Sequence, residues 1–497
     1  MIDIPRQYNA AADLVGRNLE AGRSKKLAYL DDAGQYSYGE FAERVNRFGS
    51  ALLALGLRPE DRVMLAMLDG IDWPVAFLGA IKAGIIPVAV NTLLTAKDYE
   101  YMLADSRAKA LVVSEPLLPT FRPLLKGQQV IVSPFKDVLS KGSDKLAAAP
   151  TTRDDACFWL YSSGSTGMPK GTVHVHSSLI LTAELYSKGV LGMKDSDTVF
   201  SAAKLFFAYG LGNAMTFPLA AGATTVLMAE RPTPAAVFKR LVERKPTIFF
   251  GVPTLYAAML ASPEFPSRSQ LNLRACVSAG EALPPQIAKG FQDRTGVDIL
   301  DGIGSTEMLH IFLSNRPGDA RAGTTGKAVP GYELRLVDES GAVVKPGELG
   351  ELQINGPTSA AYYWNNREKS RSTFVGPWTR SGDKYSQDAD GYYVYGGRSD
   401  DMLKVSGIWV SPAEVEAALV SHDAVLEAAV VGAEDENRLV KPRAFIVLKP
   451  GRKATDDELK GFVKEKLAPY KYPRWIEFVS ELPKTATGKI QRFKLRG

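Results

Sequence analysis

The sequence predicts an α/β protein with a large N-terminal domain of parallel-type sheets, a small β-rich section and a small α+β domain at the C-terminus. Three observations predict this class. The 497 residues exceed what one compact core organises. Strand-like and helical patterns alternate from Ser37 to Ser278, as in parallel sheets with helices on both faces. After Tyr332 the pattern changes to short strand-like pieces, and then to a segment with helix-capping signals of its own.

The alternation begins with a helix whose start is encoded in the sequence. Ser37 and Glu40 have capping-box form, and apolar residues at helical spacing continue to about Leu55, where Gly56 ends the helix. A second periodic segment predicts a helix over residues 73–81. Apolar runs predict strands at 62–67, 84–90, 108–113, 129–132, 157–161, 224–228, 247–252 and 275–278, and the strand-like run 297–300 ends before Asp301.

The C-terminal part shows a boundary and its own helices. The run 396–401, Gly-Gly-Arg-Ser-Asp-Asp, interrupts the strand pattern. Beyond it, Ser411 and Thr455 are predicted N-caps, each followed three residues later by a glutamate, and the two helices frame strand-like runs at 428–431 and 444–447. We therefore predict an N-terminal domain over 1–399 and a C-terminal domain over 400–497.

Composition excludes several functional classes. The net charge of +5, from 60 Lys and Arg against 55 Asp and Glu, is small and dispersed, so no nucleic-acid partner is expected. The longest apolar stretch is broken by Lys82 and Pro87, and the N-terminus lacks a signal-peptide pattern, so no membrane association is expected. Cys157 and Cys276 both lie in apolar runs, which favours a reducing cytoplasm. A monomer or a homodimer is expected.

A hydroxyl- and glycine-rich segment, residues 161–171, predicts a phosphate-binding loop. Glycines let backbone amides approach an anion, and hydroxyl groups donate further hydrogen bonds. The spacing of the commonest phosphate loop fails, because Pro169 stands five residues after Gly164 and Gly171 follows Lys170 in place of a hydroxyl residue. A flexible linker is the alternative, disfavoured by the strand just upstream. The predicted phosphate-contacting residues are Ser162, Ser163, Gly164, Ser165, Thr166, Gly167 and Lys170.

Four further segments are each weak signals, since each alone is typical of a surface turn or a solvated lysine. Together with YSSGSTGMPKG at 161–171 they resemble the motifs of acyl-adenylate-forming enzymes, which include acyl-CoA ligases, luciferases and peptide-synthetase adenylation domains. The resemblance extends from about Tyr38 to Arg492. The four segments are SAGEA at 278–282, DGIGSTE at 301–307, TRSGD at 379–383 and PKTATGKI at 483–490.

The resemblance implies a role for each matching residue. Thr306 would bind the α-phosphate of ATP, Glu307 would hold Mg²⁺, and Lys489 would be the catalytic lysine. Asp383 would accept both ribose hydroxyls, with Arg398 beside the same sugar. The adenine side would be formed by Ser278, Gly280, Glu281, Asp301, Gly302 and Ile303, where Ile303 replaces the aromatic residue usual in the family.

The resemblance also implies a mobile C-terminal domain. Asp400 would be its hinge, and coenzyme A would enter past residues 404–409, where Gly407 leaves room for the thiol arm. Lys404 would reach the acyl carboxylate in the adenylating state. Candidates for the phosphates of coenzyme A are Arg443, Lys471 and Arg474, for which solvated charges are an equal alternative.

The acid pocket is predicted from residues 204–212, which pack aromatic beside small side chains, with core filling as the alternative. With residues 308–312 this stretch resembles the aryl-CoA ligase branch, benzoate-CoA ligases in particular. A flat apolar slot of this kind separates ring substituents by only about 1–3 kcal/mol, so hydroxybenzoates and halobenzoates stay open. The predicted pocket residues are Phe207, Ala208, Tyr209, Gly304, His310, Ile311 and Lys404.

Other functions are less consistent with the whole set of motifs. A non-catalytic nucleotide-binding module would not require Glu307 or Lys489, and an amino-acid-activating domain needs an acidic partner that the 204–213 stretch lacks. A kinase or NTPase is disfavoured by the failed loop spacing. With four histidines in the chain, no nucleophilic triad is evident; His174 and His176 would share one strand face, and we expect a structural role for both.

Overall fold

The computed structural model describes residues 2–164, 167–399, 401–405, 408–436, 439–484 and 490–496. Its α-helices are α1 Ala10–Glu20, α2 Tyr38–Ala54, α3 Asp72–Lys82, α4 Ala96–Ser106, α5 Leu118–Phe121, α6 Lys136–Lys141, α7 His176–Thr182, α8 Ala208–Leu211, α9 Phe217–Ala221, α10 Pro234–Glu243, α11 Pro253–Ala261, α12 Pro285–Thr295, α13 Arg367–Thr373, α14 Pro412–Val420 and α15 Asp456–Lys466. Two π-helical segments are Ala183–Lys188 and Gly212–Thr216.

The strands are β1 Leu27–Leu30, β2 Gln35–Ser37, β3 Arg62–Ala66, β4 Ile86–Ala89, β5 Ala110–Ser114, β6 Gln129–Ser133, β7 Ala156–Gly164, β8 Gly167–Val175, β9 Thr198–Ser201, β10 Thr224–Val226, β11 Ile248–Gly251, β12 Ala275–Ser278, β13 Ile299–Gly304, β14 Ile311–Ser314, β15 Lys327–Ala328, β16 Glu333–Val337, β17 Gly350–Asn355, β18 Tyr362–Tyr363, β19 Phe374–Val375, β20 Trp378–Gln387, β21 Tyr393–Arg398, β22 Leu403–Val405, β23 Ile408–Val410, β24 Val425–Glu434, β25 Val440–Leu448 and β26 Trp475–Phe478.

Two large sheets form the N-terminal part. One has seven strands in the order β18-β8-β7-β4-β3-β5-β6, and the other has nine in the order β15-β14-β13-β12-β11-β9-β10-β1-β2. Their central strands pair in parallel, whereas β7 with β8 and β13 with β14 pair antiparallel. One apolar cluster contains side chains of both sheets, among them Leu65 of β3 and Phe250 of β11. Burying such a side chain contributes about 1.5–3 kcal/mol, so the two sheets stabilise each other.

The predicted strands and the first helix are confirmed. The central strands β4 and β5 are buried at every residue, as expected for parallel strands covered on both faces, and this explains their uninterrupted apolar sequence. Helix α2 begins with the predicted capping box, in which Ser37 and Glu40 each bond the backbone amide of the other.

The β-rich section and the C-terminal part also match the prediction. Strands β16, β17, β20, β19 and β21 form a five-stranded antiparallel sheet. Beyond it, β24, β25 and β26 form a sheet that packs with α14 and α15 around an apolar core of its own. Ser411 and Thr455 cap the two helices as predicted. The predicted hinge, Asp400, lies outside the described residues.

The structure corrects three local predictions. The segment 161–171 is largely a β-hairpin, because β7 continues to Gly164 and β8 begins at Gly167. Strand β13 likewise runs on to Gly304 instead of ending before Asp301. His176 begins α7 and so does not share a strand face with His174. In each case pairing with a neighbouring strand, or a helix start, overrides the local composition.

The remaining observations concern the membrane and the cysteines. Among the described helices, none combines the length and the apolar character that crossing a bilayer requires. Cys157 and Cys276 are buried free thiols, as predicted from their apolar surroundings.

Candidate active site

The β7–β8 hairpin places most of the predicted phosphate-binding segment on two paired strands of the seven-stranded sheet. Ser162 pairs with Lys170 and Gly164 with Gly167, while Ser165 and Thr166 lie outside the described residues, as do the side chains of residues 163–167. The Lys170 ammonium lies 4.9 Å from the centroid of the Tyr363 ring. Burial lowers the pKa of Lys170, and the nearby Glu307 carboxylate opposes that shift. This hairpin lysine therefore lies near Glu307.

Glu307 is held by groups from three elements. Its Oε1 accepts hydrogen bonds from the Tyr363 hydroxyl at 2.7 Å and from the Ser162 hydroxyl at 3.4 Å. Its backbone carbonyl accepts the Ala360 amide at 2.7 Å. Strand β18 pairs with β8, and this pairing brings Tyr363 beside the hairpin. These bonds restrict the rotation of the Glu307 carboxylate and point it towards the hairpin residue Ser162.

The donor set around Glu307 fits Mg²⁺ held jointly with phosphates. No cluster of three or more acidic, His or Cys side chains suited to a metal occurs in the part of the chain that the structure describes. Mg²⁺ typically binds one or two carboxylates together with substrate phosphates, and keeps several waters. The single carboxylate of Glu307, restrained beside the β7–β8 hairpin, meets that requirement.

Thr306 is held in place by a buried histidine. His174 Nε2 lies 2.7 Å from the Thr306 carbonyl oxygen. Burial lowers the pKa of His174 to about 4, so the ring is neutral and Nε2 carries the proton that it donates. His176 points elsewhere, and its Nδ1 accepts the Ala10 amide at 3.1 Å. The structure thus gives both histidines structural contacts, as predicted.

Asp383 and Arg398 face each other on adjacent strands. They form a register pair of β20 and β21, with Arg398 Nη1 3.2 Å from Asp383 Oδ1. The Asp383 backbone amide also donates a hydrogen bond to the Ser381 hydroxyl oxygen at 3.0 Å. Gly382, just before Asp383 in β20, has φ of 73°, a conformation that favours glycine. The two predicted ribose-side residues are therefore brought together.

The predicted adenine side combines the ends of β12 and β13. Ser278 and Asp301 are register partners on these parallel strands, and Gly280 follows with φ of 98°. Burial raises the pKa of the Asp301 carboxyl well above its ordinary value. Its Oδ1 has no hydrogen-bond partner within the described ranges, so an acceptor atom is left for a donor such as a ligand amino group. Gly302 and Ile303 continue β13, and Glu281 lies in the loop after β12.

The predicted acid pocket is assembled around His310. Its Nε2 lies 3.1 Å from both the Tyr209 carbonyl oxygen and Asn213 Oδ1. The Tyr209 hydroxyl reaches the carbonyls of Gly251 and Val277, both at 3.3 Å. Burial lowers the pKa of His310 to about 3, which keeps the ring neutral. His310 is thus an uncharged member of the predicted pocket wall.

Gly304 and Ile311 connect the predicted acid pocket to the predicted nucleotide side. They pair across β13 and β14, and a side chain at Gly304 would approach the His310 carbonyl carbon to 2.6 Å. Phe207 caps α8, and its ring lies 4.5 Å from Phe206; Ala208 is the first residue of that helix. Six of the seven predicted pocket residues therefore lie in this region, and the side chain of Lys404 lies outside the description.

Three pocket residues were missed by sequence reasoning. The rings of Tyr186 and Phe217 lie 5.6 and 4.4 Å from the His310 ring, and Asn213 bonds it directly. Tyr186 and Asn213 belong to the two π-helical segments, a feature frequent at functional sites. A π-turn changes which side chains face inward, so helical periodicity does not reveal these residues.

The structure describes only some of the residues predicted to act in the C-terminal part. Lys489, Asp400 and Gly407 lie outside the described residues. Two candidates for coenzyme A phosphates are already paired: Lys471 lies 2.6 Å from Glu414, and Arg443 forms an ion pair with Glu477. The guanidinium of Arg474 stacks 3.7 Å from the centroid of Tyr472.

Two protein-family models match the chain. The model described as "AMP-binding enzyme" matches residues 17–364, and the model described as "AMP-binding enzyme C-terminal domain" matches 414–489. The chain belongs to the AMP-binding enzyme family. The resemblance predicted from the sequence motifs is thereby confirmed for this AMP-binding enzyme, and the second match covers the separate C-terminal part.

Several proteins similar to this chain are aryl-CoA ligases, as the predicted branch requires. This AMP-binding enzyme is 65% identical to a benzoate–CoA ligase of Thauera aromatica, over 100% of this chain and 97% of that protein. It is 50% identical to a 4-hydroxybenzoate–CoA/benzoate–CoA ligase of Rhodopseudomonas palustris, over 99% and 94%. The crystal structure of a benzoate CoA ligase from Burkholderia xenovorans LB400 is 57% identical, with a TM-score of 0.94 and coverage of 99% and 100%.

Proposed function

We propose that this AMP-binding enzyme is an AMP-forming acid–thiol ligase that converts benzoate, ATP and coenzyme A into benzoyl-CoA, AMP and pyrophosphate. The observation that carries the proposal is the continuity of two sites on one segment. Residues 301–307 carry the groups proposed for the nucleotide, and Gly304, His310 and Ile311, within this segment and just after it, are proposed to line the acid pocket, where burial keeps His310 neutral. An acid bound there has its carboxylate beside the nucleotide. Similarity to benzoate–CoA ligases supports benzoate as the acid.

The first step requires charge neutralisation. A benzoate oxygen attacks the α-phosphorus of ATP, and the bond from that phosphorus to the pyrophosphate oxygen breaks. Because both reactants are anions, the site must offset negative charge and align the attack. Thr306, Lys170, the hairpin amides and Lys489 are the proposed groups on this chain. Glu307 would hold Mg²⁺, which supplies charge neutralisation at the phosphates when bound.

The second step requires no nucleophile from the protein. The sulfur of coenzyme A attacks the acyl carbon of benzoyl-AMP, and AMP leaves with the electrons of the mixed-anhydride bond. We propose that the domain 400–497 turns about Asp400 between the steps, and that Gly407 then borders the thiol arm. Asp383 and Arg398 are proposed to hold the ribose, and Ser278, Gly280, Glu281, Asp301, Gly302 and Ile303 the adenine.

We propose benzoates with small ring substituents as a second candidate substrate class. Selectivity between benzoate and a hydroxylated ring depends on a neutral His310 and on differences worth about 1–3 kcal/mol. A cytoplasmic location and a monomer or homodimer remain part of the proposal, in keeping with two free buried cysteines.

A product assay tests the function directly. Pyrophosphate release is measured with benzoate, 4-hydroxybenzoate, halobenzoates, cinnamate and short fatty acids, each with ATP and Mg²⁺. We expect benzoate to give the highest kcat/KM, with AMP as the nucleotide product after coenzyme A is added. Formation of ADP would indicate a kinase or NTPase. ATP binding with no product from any acid would indicate a non-catalytic nucleotide-binding module.

A further inference from the structure

Asp69 connects the two large sheets beside the acid pocket. It follows β3 in the seven-stranded sheet, whereas the pocket turn, residues 204–207, follows β9 in the nine-stranded sheet. The Leu205 amide donates to both carboxylate oxygens, at 3.2 and 3.3 Å. Asp69 is 4% exposed, so this contact is made in a water-poor environment where hydrogen bonds to a carboxylate are strong.

Lys204 anchors the same turn from the other side. Its ammonium donates to the carbonyl oxygens of Met228, of Ala229 at 3.4 Å and of Glu230 at 2.7 Å, all in the loop after β10. Burial raises the pKa of Asp69 to about 6, with Lys204 and the Leu205 amide opposing the shift. The turn is therefore held by the buried Asp69 carboxylate on one side and by the half-buried Lys204 ammonium on the other.

The turn leads without an intervening residue into the pocket wall. The Phe207 amide donates to the Lys204 carbonyl oxygen at 3.0 Å, and α8 begins at the next residue. A side chain at Gly210 would approach that same carbonyl oxygen to 2.0 Å, so α8 packs directly on the turn. Any shift of the turn is consequently transmitted to Ala208 and Tyr209.

We propose that Asp69, together with Lys204, is a positioning residue that sets affinity for the aromatic acid by fixing the 204–207 turn across the junction of the two sheets. The inference rests on the proposed function. It predicts a selective defect, because the described groups of the nucleotide side, Glu307 and Asp383, are held by other elements. If the 204–207 turn is loosened, the wall of the acid pocket shifts, whereas Glu307 and Asp383 stay in place.

The test compares Asp69→Ala with Asp69→Asn in steady-state pyrophosphate release. Alanine removes the acceptor for Leu205, and we expect the KM for benzoate to rise about five- to tenfold, with the KM for ATP within twofold of the wild-type value. Asparagine keeps one acceptor oxygen, and we expect a KM for benzoate within about twofold of the wild type. An Asp69→Asn enzyme as impaired as Asp69→Ala would overturn the hydrogen-bond role.

Asp72→Asn is the matched control. Asp72 is also a buried carboxylate with a raised pKa, and it lines the same cavity of about 910 Å³ as Asp69, but it accepts from Ser133 and Phe135 instead of the pocket turn. We expect its KM for benzoate to stay unchanged even if its Tm falls. An equal rise in this control, equal rises for ATP and benzoate in Asp69→Ala, or no rise in Asp69→Ala would overturn the inference. Absence of activity with every aromatic acid in the wild type would instead refute the proposed function.

Discussion

Tyr363 restricts the one carboxylate proposed to hold Mg²⁺. Its hydroxyl donates to Glu307 Oε1 at 2.7 Å, and the Lys170 ammonium lies over its ring. Hydrogen bonds to charged groups contribute about 1.5–3 kcal/mol. The Tyr363→Phe substitution removes this donor and keeps the ring. We expect the Mg²⁺ concentration for half-maximal pyrophosphate release to rise roughly ten- to hundredfold.

Tyr362 provides the control for this prediction. It lies on the same short strand, is 41% exposed and makes no hydrogen bond to Glu307. Tyr362→Phe should leave the Mg²⁺ dependence unchanged. A Tyr363→Phe enzyme with the wild-type Mg²⁺ dependence would show that Glu307 keeps its orientation without the hydroxyl.

At the residue scale, sequence motifs indicate the polar and charged groups proposed for the site but not the residues that support them. Ser162, Glu307 and Asp383 were predicted because their chemistry recurs at fixed spacing in a named family. Tyr363, Asn213 and Asp69 carry no such pattern, since each acts through a partner distant in the chain: Tyr363 bonds Glu307, and Asp69 bonds Leu205. Contacts across such separations depend on how strands pair and loops meet, which one sequence does not reveal.

The π-helical segment Gly212–Thr216 determines how closely a helix approaches His310. A side chain at Gly212 would stand 2.4 Å from His310 Cδ2, well inside van der Waals contact. Gly212→Ala must therefore displace the histidine or the helix. We expect the KM for benzoate to rise at least tenfold, with a smaller effect on the KM for ATP, measured by pyrophosphate release.

Gly16→Ala is the comparison for the glycine substitution. Gly16 lies in α1, where the nearest atom to an added methyl group is 3.9 Å away. This variant should match the wild type in activity, and in stability it should gain up to about 1 kcal/mol from higher helix propensity. Benzoate kinetics of Gly212→Ala equal to those of the wild type would mean that the pocket does not involve His310.

Helix α1 is fastened to α7 by a histidine that must stay neutral. His176 Nδ1 accepts the Ala10 amide, and burial lowers the pKa of His176 to about 4 from an ordinary value near 6.5. Between these values the unfolded chain binds more protons than the folded one. The contribution of His176 to stability is therefore complete above about pH 6.5 and is lost as the pH falls towards 4.

The His176→Asn substitution isolates this effect. The amide oxygen of asparagine replaces Nδ1 as acceptor without titrating. From pH 7 to pH 5, we expect the wild type to lose about 2 kcal/mol of unfolding free energy relative to the variant. Denaturant unfolding of both proteins at the two pH values measures the difference. A constant difference between the two proteins would contradict the lowered pKa.

At the scale of the whole molecule, the two half-reactions are proposed to use two arrangements of the domains. Lys489, in the segment PKTATGKI, is proposed to act in the adenylating step. Lys489→Ala should abolish benzoyl-AMP formation from benzoate and ATP, by at least a hundredfold, while thioester formation from supplied benzoyl-AMP stays largely intact. Lys494→Ala, in the same terminal segment, should affect neither step. Equal loss of both steps in Lys489→Ala would contradict the use of two arrangements.

The sequence by itself determined the fold class, the strand–helix order and the family. These properties are local: apolar runs become buried parallel strands, capping residues start α2 and α15, and motif spacing identifies the adenylate-forming chemistry. Tertiary structure decided that the predicted phosphate loop is mainly a hairpin, and that Asp69 of one sheet region accepts the Leu205 amide of the other. These depend on which strands become neighbours. Pairing satisfies backbone groups between distant segments, and a single sequence does not specify which segments will meet.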